Sequence, residues 1–238
     1  MSAFLRGVAL LGAFSLAPAV NAATLDFTIP TGGFTLQSYT DVAGSTADDY
    51  TGSAILTENG YESVVIDVIG ENLDIRIDDV LDGNPYFDAD SGGKPGGLGS
   101  CRDLDGSAQC VPKSDDNLTI AAQESIRFDF LTDAGSATNA LLGDFTFRDD
   151  DHNLISNGFI QVSATTGSYL IATDASGIGD LSVIGKSSYL RFNAQPGASD
   201  NYYITAANVS AIPVPAAVWL FGSALGALGW MRRRKTEV

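Results

Sequence analysis

His152 is the only histidine in the chain, so any Ser-His-Asp or Cys-His chemistry has to run through it. It follows Asp149, Asp150 and Asp151, and no Gly-x-Ser-x-Gly elbow occurs in the sequence. A turn histidine beside three carboxylates suits a surface hydrogen bond better than nucleophilic catalysis, and no catalytic residue is assigned. Paired-carboxylate glycoside hydrolysis leaves no signature in sequence, because a chain with 29 Asp and Glu always holds some pair at a workable separation. The same side chains offer hard oxygen ligands. Asp115, Asp116 and Asn117 before one strand, with Asp149, Asp150 and Asp151 after another, could supply the roughly six to eight oxygens that calcium takes. Calcium is the candidate cofactor, although Asp88-Ala-Asp90 and Asp103-Leu-Asp105-Gly106 are only fragments of a calcium-loop signature.

Cys101 and Cys110 are the only cysteines, separated by eight residues in a stretch rich in Gly, Pro and Asp. They predict an intrachain disulfide, since two thiolates and one distant histidine fall short of a zinc ligand set. Among the aromatics that could stack on sugar rings (Tyr39, Tyr50, Tyr61, Tyr86, Phe87, Tyr202 and Tyr203), the adjacent Tyr86 and Phe87 are the candidate ligand contacts; the alternative is a small core beneath the loop that holds them. Gly92-Gly-Lys-Pro-Gly-Gly-Leu-Gly99 lacks the Ser or Thr that a phosphate cradle needs after its lysine, and reads as a loop.

The elements that must position these residues read as strands throughout. At Ser125-Ile-Arg-Phe-Asp-Phe130 the apolar residues alternate with Arg127 and Asp129, and Gly143 to Arg148 and Ser188 to Asn193 repeat the pattern. Further strands are expected at Phe34 to Tyr39, Ser53 to Leu56, Ser63 to Ile69, Leu73 to Ile77, Leu118 to Ala122, Gly158 to Ala164, Tyr169 to Thr173 and Tyr202 to Val209, punctuated by Gly, Asn, Asp and Ser. Short strands without an amphipathic helix predict an all-β ectodomain of two packed antiparallel sheets, a β-sandwich or jelly roll, over residues 23–211. The stretch 78–117 reads as one long loop, too long for a passive connection.

Both ends of the chain carry sorting information. Arg6, the apolar stretch from Val8 to Leu16 and the small residues before Ala22 predict a signal peptide over 1–22. At the other end, Val214 to Met231 is an 18-residue run without charge, about 27 Å as a helix, followed by Arg232, Arg233, Arg234 and Lys235. That order predicts a transmembrane helix over 214–231 with the basic tail 232–235 as a cytoplasmic stop-transfer, leaving the ectodomain outside. Setting aside Arg6, the tail cations and Glu237, eight Lys and Arg face 28 Asp and Glu, a net charge near −20. Such a surface repels nucleic acid and favours divalent cations.

The segment 212–238, with Pro213, Val214, Pro215 and Ala216, then Val218-Trp-Leu-Phe221, a Gly/Ala-rich helix and a terminal Arg cluster, resembles the PEP-CTERM sorting signal in its Val-Pro-Leu-Pro-Ala variant. Ile212 and Val214 stand where Val and Leu are commoner. The resemblance implies export in a Gram-negative bacterium and a membrane-anchored precursor. It further implies processing by an exosortase and delivery to the cell surface or extracellular matrix, in association with exopolysaccharide or biofilm. A second resemblance, to the ectodomains of exosortase-dependent surface proteins, rests on Gly96-Gly-Leu-Gly99, Cys101, Cys110, Ser114 to Asn117 and Phe147 to His152. It implies a β-rich surface domain and names no activity. The expectation is a non-catalytic surface or matrix protein. The alternatives are a carbohydrate-binding module, calcium-dependent or not, and a glycan-degrading enzyme.

Overall fold

Two antiparallel sheets pack face to face, as the alternation of apolar and polar residues requires. The computed structural model describes residues 22–28, 34–40, 46–47, 59–60, 63–79, 83–88, 94, 96–103, 105, 110–111, 117–119, 124–194, 201–212, 221 and 223–225. Within them the strands are β1 (Ala23–Asp26), β2 (Phe34–Thr40), β3 (Thr46–Ala47), β4 (Asn59–Gly60), β5 (Ser63–Val68), β6 (Asp74–Asp79), β7 (Asn84–Asp88), β8 (Gly97–Cys101) and β9 (Leu118–Thr119), then β10 (Ser125–Leu131), β11 (Ala140–Asp149), β12 (Phe159–Ala164), β13 (Gly167–Ala172), β14 (Ile178–Asp180), β15 (Lys186–Ser187), β16 (Tyr189–Asn193) and β17 (Asn201–Ala211). One sheet runs β14-β11-β17-β8-β7-β4, with β1 and β9 also on β17 and β15 on β11. The other runs β13-β12-β16-β10-β6-β5-β2-β3.

The core lies between the sheets and is built largely of phenylalanine. Phe128 of β10 meets Phe27 edge-on at 5.9 Å, Phe192 of β16 at 5.5 Å and, across the sandwich, Phe145 of β11 at 6.4 Å. Phe147 extends the stack to Tyr202. Tilted and edge-to-face contacts of this kind add to the burial of the rings themselves. The alternation read at 125–130 is observed: Ile126, Phe128 and Phe130 are buried, while Arg127 and Asp129 lie on the outer face. β11 departs from regular pairing with β17 between Leu142 and Phe145, where Gly143 sits. A Cβ there would press on Asn208 at 3.0 Å, which accounts for the glycine at the irregularity.

The domain closes on itself through its ends. Ala23 pairs with Val209 and Asp26 with Ala206, so the first strand lies antiparallel to the last, and the Phe27 amide extends the pairing by donating to the Thr205 carbonyl. Residues 21–212 form one compact unit. Of the separate unit formed by 1–20 and 213–238, Phe221, Ser223, Ala224 and Leu225 are described, and they are helical. The remainder of the expected span 214–231, Pro213 to Ala216, Arg232 to Lys235 and residues 1–21 of the expected signal peptide lie outside the described residues, as does the strand expected at Ser53 to Leu56. Among the described residues no helix is long and apolar enough to cross a membrane.

The stretch 78–117 is not one loop. β7 and β8 form an antiparallel pair inside it, from Asn84 opposite Cys101 to Asp88 opposite Gly97, and β8 reaches β17 at Leu98 and Ile204. Pro85 and the Gly-rich composition hide this pair from a propensity reading. The glycines serve close approach here: Gly97 has φ +126°, and a Cβ on it would come within 2.7 Å of the Ile204 carbonyl oxygen.

Tyr202 is fully buried, and among the described residues its hydroxyl has no hydrogen-bond partner. Burial alone pushes its ionisation far above the ordinary phenol range. Tyr202→Phe should therefore be neutral or stabilising by about 1 kcal/mol, whereas Phe128→Ala should cost about 3–5 kcal/mol, both read from denaturant midpoints.

Candidate functional site

Two groups of the residues singled out by sequence lie around β7 and β8, which continue the β17-containing sheet. Successive side chains of a strand point to opposite faces, so Tyr86 and Phe87 part company. Phe87 enters the main core against Phe27, with ring centroids 6.3 Å apart. Tyr86 points outward and is covered by the Cys101–Cys110 disulfide, forming a small separate cluster with it. With 3 % and 0 % exposure neither ring presents a face to solvent, and the Tyr86 cluster matches the alternative of a small core at this stretch. Both are strand residues, because β7 is covered on its two faces.

The disulfide itself is present, with Cα atoms 5.8 Å apart. Around it, the Asn84 side-chain amide donates to the Cys101 carbonyl at 3.2 Å, and the Val111 amide donates to Asp103 O at 2.8 Å.

His152 is the centre of a second cluster. It occupies the turn after β11 with φ +59°, a left-handed conformation that histidine enters more readily than most side chains. The Asp149 carboxylate makes the turn by accepting from the Asp151 amide at 3.1 Å and the Asn153 amide at 2.8 Å. Arg148 Nη1 donates to the His152 carbonyl at 2.9 Å. The turn thus holds the imidazole edge-on to Tyr203 of β17, 5.1 Å between ring centroids. Nδ1 lies 2.8 Å from the Lys94 carbonyl oxygen and Nε2 lies 3.1 Å from Asp88 Oδ2. Lys94 returns its ammonium to Asn153 Oδ1 at 2.8 Å.

Gly96 completes the cluster, since a Cβ at that position would overlap the Asp88 carboxylate. Four separated segments, at 88, 94–96, 149–153 and 203, therefore meet at one imidazole. Both ring nitrogens face acceptors. That arrangement clamps the β7–β8 connection to the β11 turn and to β17. Sequence had marked His152, the Gly-rich stretch and Tyr203 separately, and had read Asp88 as a calcium-loop fragment. Nothing in the spacing links residues some 60 positions apart.

Only part of the expected calcium set falls within the described residues. Asn117 is buried at the start of β9, and Asp115 and Asp116 lie outside the described residues. Asp149 Oδ1 is committed to its own turn, and Asp150 Oδ2 accepts from the Asn201 amide at 3.3 Å. Asp149 and Asp150 border an open depression of about 570 Å³ with Ile155, Ser156 and Asn201. Among the described residues no group of three or more His, Cys, Asp and Glu side chains is placed to hold a metal ion.

On the opposite sheet, the outward face is a cross-linked polar surface. Arg127 donates through Nε and Nη2 to Asp129 Oδ1, at 3.0 and 2.7 Å, and its guanidinium lies over the Tyr189 ring at 4.5 Å. Asp78 pairs in register with Arg127 from the neighbouring strand. Burial raises its carboxyl above the ordinary 3.8; Arg76 opposes the shift, Asp129 adds to it and Arg127 opposes it.

The molecule is by these features a disulfide-tied, two-layer antiparallel β protein of the sandwich-like class. Comparison with protein-family models, with curated proteins and with solved structures gives no match.

Two measurements follow from this geometry. Replacing Cys101 and Cys110 by Ser should lower stability by roughly 2–3 kcal/mol, the chain-entropy value for so short a loop, and reductant should shift the wild-type melt in the same direction. A carboxyl whose folded-state pKa is raised holds its proton more tightly folded than unfolded, so Asp78 stabilises at low pH. That contribution is lost as pH rises from 3.8 through the raised value. Asp78→Asn should therefore gain stability over wild type across that window and keep the gain at neutral pH, read from melts at a series of pH values.

Proposed function

We propose that this is an exported surface or matrix protein, sorted through its C-terminal exosortase-type signal, whose β-sandwich-like domain is displayed without catalysis in an exopolysaccharide or biofilm setting. The observation that carries the reading is the agreement of two boundaries. Sequence places signal cleavage after Ala22 and the start of the tail segment at Ile212, while strand pairing begins at Ala23 and ends at Ala211. A domain that starts and stops where processing would cut it is left whole by that processing.

The local geometry favours structural roles for the residues that sequence marked as chemical. His152 spends both ring nitrogens on acceptors that bind segments together, and the disulfide ties β8 to Cys110. The carbohydrate-binding alternative, built on Tyr86 and Phe87, loses that support because both rings are buried. In the proposed sequence of events the 214–231 run anchors the precursor, the enzyme acts near Pro213 to Ala216, and the ectodomain passes to the surface. Pro213 and Pro215 disfavour helix before Ala216, which leaves an extended entry for a processing enzyme.

Both tryptophans of the chain, Trp219 and Trp230, lie in the tail. Protein recovered from the surface or medium of its native host should have an intact mass running from Ala23 to near Pro215 and no tryptophan emission. A recovered species that keeps its tail and its tryptophan fluorescence would overturn exosortase-type handling.

A further inference from the structure

An edge strand presents unpaired backbone N–H and C=O groups, and proteins blunt such edges by shortness, charge, proline or bulges. Among the described residues the sheet paths end on β3 and β4, two residues each, β14, three residues, and β13, six residues, while β1, β9 and β15, of four, two and two residues, each pair on one side only. β2, which β3 only partly covers, carries a register shift between Leu36 and Ser38. β13 has none of these protections. Its register with β12 is unbroken from Ala164 opposite Gly167 to Phe159 opposite Ala172, and it contains no proline and no charge.

Because Thr165 and Thr166 form a two-residue hairpin turn, Gly167, Tyr169 and Ile171 bond to β12, and Ser168 and Leu170 direct their backbone groups outward. The Thr173–Gly179 bridge, with the Asp174 amide donating to Ile178 O at 2.9 Å, lies beyond the end of β13. The open stretch is therefore 167–171, centred on Tyr169. Leu170 is 57 % exposed there, and Phe159 on the same outer face is 45 % exposed.

Charge decides which partner fits. Residues 153–173 contain no Asp, Glu, Lys, Arg or His, in a domain whose net charge is near −20. Two copies of so acidic a domain repel each other over most approaches. This hairpin is where that repulsion is weakest, and an uncharged strand edge is complementary to itself.

We propose that β13 is a self-association edge. Two copies of the chain pair antiparallel about a two-fold axis at Tyr169, Ser168 of each opposite Leu170 of the other. The outward groups of Ser168 and Leu170 then form four inter-chain backbone hydrogen bonds, and the two eight-stranded sheets become one. The edge is short, so the pairing is concentration-dependent and strengthens where many copies share a surface. The inference stands apart from the sorting reading, since it rests on β13 alone.

The test uses the full chain in detergent, with cysteines placed in register. A chain carrying Ser168→Cys is mixed with one carrying Leu170→Cys under mild oxidant; hydrogen-bonded partners about 5.5 Å apart at Cα lie within disulfide reach. The mixed pool should give a disulfide-linked dimer at about tenfold or more above a pool carrying Val183→Cys, an exposed control, with either single variant alone far lower. In sedimentation, wild-type mass should rise toward two chains with concentration, while Leu170→Lys stays at one with an unchanged melt. Equal cross-linking in the Val183→Cys pool, or concentration-independent mass in the wild type, would overturn self-pairing. Cross-linking of either single variant to a host protein of another mass would assign the edge to a different partner and overturn it equally.

Discussion

β17 is the ladder on which the domain depends. Along one side it pairs with β11 over nearly its whole length, and along the other it takes β9 at Asn201 and Tyr202, β8 at Ile204 and β1 from Ala206 to Val209. Among the described residues no other strand joins segments so far apart in sequence. Its side chains carry two jobs at once. Tyr202 and Ile204 enter the core between the sheets, while Tyr203 on the other face meets His152, and Thr205 is buried as well. Backbone hydrogen bonds hold the sheet together, but the burial of both faces is what makes this strand costly to displace.

That double burial also explains what was legible in the sequence and what was not. Strands with one face to the core and one to solvent, such as β5, β10 and β12, alternate cleanly and are read to within a residue or two. The cysteine pair is legible because two cysteines and one distant histidine leave few other uses for it. β7 and β8 escape detection because they are buried on both faces and so do not alternate, and a proline and two glycines stand where β-branched residues are usual. Tyr86 and Phe87 read as a loop platform for the same reason, since adjacent aromatics suggest one only if one face of their strand is assumed to be wet; Tyr86 joins the small core given as the alternative.

The His152 cluster was half visible. Residue type drew attention to the histidine, and the preceding aspartates suggested a metal or a base. What fixes its role is the arrival of Asp88 and the Lys94 carbonyl from the other side of a hairpin, which follows from tertiary pairing alone. Asp149, the most suggestive carboxylate, turns out to spend Oδ1 on the amides of its own turn. Acidic turn residues in an acidic domain are thus poor evidence for an ion unless their oxygens are aimed at a common point.

The antiparallel union of β1 with β17 has a consequence in time. Thr24 and Asn208, whose side chains hydrogen-bond at 2.7 Å, are 184 residues apart in sequence. As the chain is made, β1 must wait for β17, and β8, β9 and β11 lack their central neighbour until then. Contacts of such long range are formed slowly, after the entropy of closing the whole chain has been met. The domain is therefore kept from completing its fold until its C-terminal strand has been made, so that the order of synthesis sets the order in which the sheet can close.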